Sequence, residues 1–428
     1  MIRQPRTAIG LALVLLAITA ACDRGPEDET TRITVMVSGD AEEIEAYRAV
    51  VTAFDRSQTD IDAELLPFAD RDDLIVRLST SIAGGEPPDL FLMNYRYYAQ
   101  FAARDALEPV GPYLQTSEAF SAEDFFQTSM TPFQWDGEQM CLPQNVSSLV
   151  VYYNADLFAD AGLPLPAAGW TWNDMVRSAA ALTRDDDGDG AAEVYGLGVD
   201  PEIIRLAPFI WSNGGTLVDD EADPTRFDFD APAVTAMQRF LDLRSVHGMT
   251  PTDVEAESEG FETRFLNGRL GMLMESRRVV PTLRTITSFR WDVASVPILS
   301  EPTSVLHADA YCITEGSDAK DASWRFVEFA LGPEGQRITA EAGRTVPSLR
   351  SVADSDAFLD PAALPEHSEV FLDQIPRLRA VPVVSTWAEI EDAANSIIEE
   401  AYYGGGEALE VAVELTIQTR DLFARAEG

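Results

Sequence analysis

Ile33-Thr-Val-Met-Val37, followed by Glu42 to Arg56 (EEIEAYRAVVTAFDR), decides the fold class. The first piece alternates around β-branched side chains, as a strand does with its period of two. In the second, Ile44, Tyr47, Val50, Val51 and Phe54 recur at helical spacing. The pattern then repeats: Ile61 to Leu66 reads as a strand, Arg71 to Ile82 as a helix and Asp89 to Met93 as a third strand. Strands alternating with helices at this pitch predict an α/β class with a parallel sheet of βαβ units.

Further along, strands are expected at Leu149–Tyr153, near Gly271–Met274, at Trp291–Val296 and at Tyr311–Thr314. Helices are expected at Asn173–Leu182, Ala231–Val246, Ala322–Leu331, Pro333–Ala342, Thr386–Tyr403 and Glu407–Ala426, and Phe209-Ile-Trp211 runs into the turn Ser212-Asn-Gly-Gly215. About 400 residues of body exceed the usual size of one core, so two or more lobes are expected.

Upstream of the first strand the chain changes character. Arg3 and Arg6 precede an apolar run from Ala8 to Ala17, and Thr19-Ala-Ala-Cys22 forms a small-residue cleavage site. The run is too short for a comfortable span of roughly 20 residues. The segment therefore reads as an export signal. Cys22 resembles the lipid-carrying cysteine of a bacterial lipobox, although Thr19 stands where leucine is usual; a plain secreted protein is the alternative. Asp23 to Thr31 (DRGPEDETT) lacks apolar period and reads as a flexible tether, at most about 30 Å long.

Net charge is −41, from 31 basic and 72 acidic residues. Such a field repels phosphate polyanions, so no nucleic-acid partner is expected. The hydrophobic fraction of 46% is ample for a packed core. In an exported chain Cys141 and Cys312 could be bonded, or could be two buried thiols.

Asp185-Asp-Asp-Gly-Asp-Gly190 places Asp185, Asp187 and Asp189 at positions one, three and five of a calcium-loop pattern, with glycine at six. Glu193 falls at position nine, but Gly196 stands where the bidentate glutamate belongs. A weak structural calcium site and a solvated acidic turn both fit, and no other cofactor is expected. With His247, His307 and His367 as the only histidines, neither a zinc helix nor an acyl-transfer triad is expected. Asn94-Tyr-Arg-Tyr-Tyr98 follows a strand end, and Trp211 precedes a glycine turn, an arrangement of flat rings beside polar groups that suits a sugar.

Taken in order, Pro88-Asp-Leu-Phe91, Leu142-Pro143, Val151-Tyr-Tyr-Asn-Ala-Asp-Leu-Phe158, Ala161-Gly-Leu-Pro164, Trp170-Thr-Trp172, Leu182 to Gly190, Tyr195-Gly196, Trp211-Ser-Asn-Gly-Gly215, Asp292-Val293 with Pro297, and Gly343-Arg-Thr-Val-Pro347 resemble the family 1 extracellular solute-binding proteins, the sugar-binding subunits of ABC importers. The resemblance implies a two-lobe periplasmic-binding-protein fold, class II-like, with the ligand cleft between lobes. It leaves the signal peptide at 1–22 and the tether at 23–31 as read from the residues above. Lobe one would take 32–145 plus 312–365, and lobe two 146–311 plus 366–428. Crossings fall at Gln144–Leu149 and Pro297–Tyr311, with a late return near Arg350–Pro382. By position it places Ser38, Asn94, Tyr95, Asn145, Ser147, Trp211, Asn213, Gly214, Arg277, Asp309, Tyr311 and Arg344 at the ligand. Cys141 and Cys312 would sit close to the crossings.

One departure stands out. The family often carries an aromatic after the methionine strand, whereas Glu275-Ser-Arg-Arg278 has none. A charged sugar or polyol phosphate therefore joins neutral mono- and oligosaccharides as an expected ligand. The implied function is a lipid-anchored, monomeric, non-enzymatic receptor facing the periplasm or cell exterior and delivering to ABC permease subunits, with the lipid as its sole membrane contact. An exported glycoside hydrolase and a structural envelope lipoprotein are the rival readings.

Overall fold

The computed structural model describes Met1 and residues 30–188 and 190–426. Cys22, the rest of the signal segment, most of the tether, and Asp189 lie outside the described residues.

Two α/β lobes form, each around its own sheet. In the first, strands run in the order Ile61–Phe68, Thr31–Ser38, Leu90–Asn94, Asp309–Thr314 and Leu107–Glu108, with Cys141–Pro143 also paired to Asp309–Thr314. Alternation explains the opening strand: Ile33, Val35 and Val37 are fully buried. Helix Ala41–Ser57 covers them with Tyr47, Val50, Val51 and Phe54, the stripe read from the sequence. The Asp40 carboxylate starts that helix by accepting from the Glu43 amide at 3.0 Å.

Thr31–Ser38 is parallel to both of its neighbours, but Asp309–Thr314 is antiparallel to Leu90–Asn94. The expectation of an all-parallel sheet is thus corrected. Connectivity gives the reason: this strand arrives from the other lobe, not through a crossover helix, and only a parallel partner requires such a crossover. It also belongs to the first sheet from Asp309 onward, so the boundary expected at 311/312 falls inside a strand.

The second sheet has the order Tyr195–Gly198, Leu270–Glu275, Val150–Asn154 and Trp291–Ser295. Helix Trp172–Leu182 lies against it so closely that a Cβ on Gly196 would stand 1.9 Å from the Ala179 carbonyl oxygen. Between the lobes, Ser147–Ser148, Ser304–His307 and Leu378–Arg379 form a three-stranded ribbon. It runs through the stretches where the resemblance places the crossings and the late return. Arg96 on helix Tyr95–Ala102 of lobe one forms a buried ion pair with Glu391 on helix Trp387–Gly404, which packs against the second lobe. Among the described residues no helix is long and apolar enough to cross a membrane.

Cys141 and Cys312 lie opposite each other on paired strands, both fully buried, and are joined by a disulfide with Cα atoms 4.4 Å apart. The bond ties the outgoing strand to the returning one beside the ribbon, across a sequence separation of 171. Constraining so long a loop in the unfolded chain stabilises by about 2–4 kcal/mol. A Cys141→Ala/Cys312→Ala variant is expected to lose stability of that size in urea titration; an unchanged midpoint would refute the estimate.

Candidate functional site

A cleft of ≈ 420 Å³ opens between the lobes, within the usual range of ligand pockets of about 300–1,000 Å³. Its lobe-one wall comes from the end of the first strand (Ser38 to Asp40), Glu43 and Tyr47 one helical turn on, the start of the second helix (Asp70, Arg71), Asn94, Arg96 and Arg344. Ser147 and His307 of the ribbon, with Asn145 and Asp309 next to it, form the floor, and Ser276 and Arg278 close the lobe-two side.

Asp309 is the organising acceptor. Its Oδ1 accepts from the Asn94 amide at 3.2 Å and its Oδ2 from the Asn145 amide at 2.9 Å, while the Asp309 backbone amide donates to Asn145 Oδ1. Among the described residues no cation pairs with it. One carboxylate therefore gathers a strand end and both crossings and leaves lone pairs for a donor in the cleft. Beside it, the hydroxyl of Ser147 and Nε2 of His307, opposite residues on the ribbon, have no hydrogen-bond partner among the described residues. Burial, with Arg205 and Arg96 nearby, pushes the His307 imidazole well below its usual range, so it is neutral.

The cleft arginines are all engaged. Arg344 pairs with Asp40 and, at 2.9 Å, with Glu43, and donates to the Arg278 carbonyl at 3.1 Å. Burial raises the Glu43 carboxyl, against the pull of Arg344 and the Tyr47 hydroxyl. Arg96 pairs with Glu391. Arg278 holds Glu275 at 2.9 Å and Glu262 at 3.2 Å. Burial alone would raise the Glu275 carboxyl, but Arg205 at 2.6 Å and Arg278 overcome it and hold it well below the usual carboxylate range. Asp200, behind this cluster, is pushed up to about 6, chiefly by burial.

Of the residues singled out from the sequence, Ser38, Asn94, Asn145, Ser147, Asp309 and Arg344 meet in this cleft. The others lie elsewhere. Tyr95 is buried with its hydroxyl accepting from the Val381 amide, and Tyr311 packs edge-on against Phe326. Trp211 sits in the last turn of helix Ile203–Ser212 under the Arg379 guanidinium. The amides of its glycine turn do not face a ligand but end that helix. Gly214 takes φ 79°, and the amide of Gly215 donates to the Ile210 carbonyl at 2.9 Å, a helix-closing turn. Asn213 donates to the Pro232 carbonyl. Arg277 is fully buried between the rings of Phe358 and Phe371, while its neighbour Arg278 faces the cleft.

Arg278, Arg96, His307, Asp40 and Glu43 escaped the sequence reading. Arg278 and Arg96 lie in stretches noted above without being singled out as residues, and Asp40 and Glu43 left the Asp-x-x-Glu spacing of a helix start right after a strand. In the acidic loop, Asp185, Asp187 and Glu193 bring carboxylate oxygens within 4.8 Å of one another. Asp185 and Glu193 already accept from loop amides. The position that would need a bidentate glutamate is Gly196, where packing against Ala179 leaves no room for any side chain. The full calcium-loop ligand set therefore does not fit.

Three comparisons bear on this geometry. A family model described as bacterial extracellular solute-binding protein matches residues 49–366. A Brucella abortus protein named only as a binding protein is 23% identical over 419 residues, 95% of each chain, and a mannitol-binding protein of Pseudomonas aeruginosa is 24% identical over 328 residues, 72% of each. An ABC substrate-binding protein from Listeria monocytogenes in complex with cycloalternan superposes with a TM-score of 0.84 at 23% identity, over 92% of this chain and all of that one.

Arg205→Met would strip one of the two cations from a Glu275 carboxylate that is almost fully buried. A loss of about 3 kcal/mol is expected in denaturant titration. The double variant Arg205→Met/Glu275→Leu should recover most of it, and equal losses in both would contradict the assigned network.

Proposed function

The chain belongs to the bacterial extracellular solute-binding proteins, and on that premise we propose that it is the substrate receptor of an ABC importer, taking up an uncharged carbohydrate or polyol. The observation that carries this reading is the charge balance of the cleft. Arg96, Arg278 and Arg344 are each matched by a carboxylate and Arg71, at the rim, pairs with Asp72 at 3.4 Å, so every cleft cation already has an anionic partner and an acidic ligand would add uncompensated negative charge. Asp309 has amide donors only and asks for hydroxyl protons. Ser147 and His307 add unsatisfied polar atoms that a hydroxyl, which donates and accepts, would complete.

The names of the similar proteins support the same class, since one binds mannitol and another was solved with cycloalternan. Uronates and polyol phosphates are disfavoured by Asp309, Asp40 and Glu43 on the cleft wall. Capture needs no covalent step. The lobes close around the ligand, water leaves, and hydrogen bonds inside strengthen as the local dielectric falls. Micromolar affinity requires about 8 kcal/mol net, within reach of several such bonds. A hydrolase would need a free pair of carboxylates flanking a glycosidic bond. Here Asp40 and Glu43 are tied to Arg344, and Asp309 is tied to two asparagines.

A thermal-shift screen of monosaccharides, oligosaccharides, polyols, uronates and polyol phosphates tests the reading. A true ligand at a hundred times its Kd should stabilise by about 2.7 kcal/mol. Stabilisation by an uncharged member is expected, and none by the acidic ones. A response confined to acidic compounds, or release of new reducing ends, would overturn the proposal.

Export and anchoring complete the reading. We place the mature protein, as a monomer, at the outer face of the cell membrane, held by lipid on Cys22 and reaching the permease on its short tether. Cys22→Ala should move the protein from the membrane to the soluble fraction on cell fractionation; a variant that stays membrane-bound would show that the apolar segment itself is the anchor.

A further inference from the structure

We propose that Arg278 is the residue with which lobe two grips the ligand, and that it tunes the cleft toward open-chain polyols over pyranose rings. The inference rests on the carbohydrate reading above and narrows it.

Arg278 follows the strand Leu270–Glu275 and lines the cleft with its side chain 45% exposed. Its guanidinium is held from behind, by Glu275 at 2.9 Å and Glu262 at 3.2 Å. Its backbone is held too, because its carbonyl accepts from Arg344 of the opposite lobe. Glu275 is in turn fixed by Arg205 and by the Ser276 amide. A guanidinium carries five N–H donors in a rigid fork. Nη1 serves Glu262 and Nη2 serves Glu275, which leaves the Nε proton and one proton on each terminal nitrogen for a ligand, with charge neutralised and orientation fixed in advance.

Opposite stands Asp309, which can only accept. A ligand between them meets a donor on one wall and an acceptor on the floor. Each hydroxyl of a polyol can serve both at once, giving its proton to Asp309 and its lone pair to Arg278. An acyclic polyol presents such hydroxyls along its whole length. A pyranose also presents two apolar ring faces, which binding sites cover with flat aromatic surfaces.

This cleft offers little of that kind. Tyr47 is the aromatic residue along its walls, only 2% exposed, with its hydroxyl committed to Glu43 at 2.7 Å. Tyr95, Tyr311 and Trp211 are built into the packing instead. Leu92 and Met93 also line the cleft but are nearly covered, so a ring face would meet mostly charged and amide groups, at a cost an open chain avoids.

Isothermal titration of the mature protein with mannitol and with mannose, of matched stereochemistry, provides the test. The wild type should favour mannitol about tenfold or more, the worth of one well-made charge-assisted hydrogen bond. Arg278→Ala should weaken mannitol binding by a similar factor, and because it also strips one of the two cations from buried Glu275 it should lower the ligand-free melting temperature, so affinity is compared at a temperature where the variant is folded. Arg278→Lys should recover part of the loss, and Arg278→Trp should move the preference toward mannose. Glu262→Gln, which loosens the guanidinium without touching the core, should lower the mannitol-to-mannose ratio and provides the readout if Arg278→Ala folds poorly. Equal wild-type binding of the two, binding confined to ring oligosaccharides, or an unchanged ratio in Arg278→Ala and Glu262→Gln would overturn the proposal and leave the carbohydrate reading standing. Failure of every carbohydrate and polyol to bind would overturn both.

Discussion

One carboxylate holds the ligand-bearing part of this protein together. Asp309 accepts from Asn94 at the end of a lobe-one strand and from Asn145 on the outgoing crossing, while sitting itself at the start of the returning strand. Strand pairing and the disulfide already bring these three pieces of chain together, and the Asp309 hydrogen bonds fix their side chains relative to one another. With them, the cleft floor is fixed before any ligand arrives. That kind of preorganisation lowers the entropic cost of binding.

The wall on lobe two depends on a different device. Glu275 is almost fully buried and survives as an anion because Arg205 and Arg278 share it. Burying charge is expensive, and the expense is tolerable when the same carboxylate both stabilises the strand end and aims a cleft side chain. A like arrangement holds lobe one, where Arg344 collects Asp40 and Glu43 and reaches across to the Arg278 carbonyl. The cleft is thus bounded by ion pairs that neutralise one another, in a protein whose overall charge is −41.

Much of the fold was legible in the sequence because periodicity reports burial directly. Ile33, Val35 and Val37 alternate, and Tyr47, Val50, Val51 and Phe54 recur at helical spacing, so strand and helix follow from local pattern. The short ribbon strand Ser147–Ser148 left no such pattern, having too few residues to show a period. The site was legible where a polar residue sits at a strand end, as with Ser38, Asn94 and Asp309. It was illegible where the outcome depends on which way one side chain turns. Arg277 and Arg278 are neighbours of identical chemistry, yet one lies between two phenyl rings and the other lines the cleft. Aromatic residues misled for a related reason: a ring near a glycine turn suits a sugar, but Trp211 is equally suited to finishing a helix.

The disulfide also bears on how the protein is made. Cys141 precedes the greater part of the second lobe, and its partner Cys312 follows it, 171 residues later. A chain threaded across a membrane from its N-terminus presents the first thiol early and must wait for the second. The bond can close only after the intervening lobe has emerged into an oxidising space. The loop so closed holds the sheet of lobe two, whereas helix Trp387–Gly404, which packs on that lobe, follows Cys312 and joins it from outside the loop.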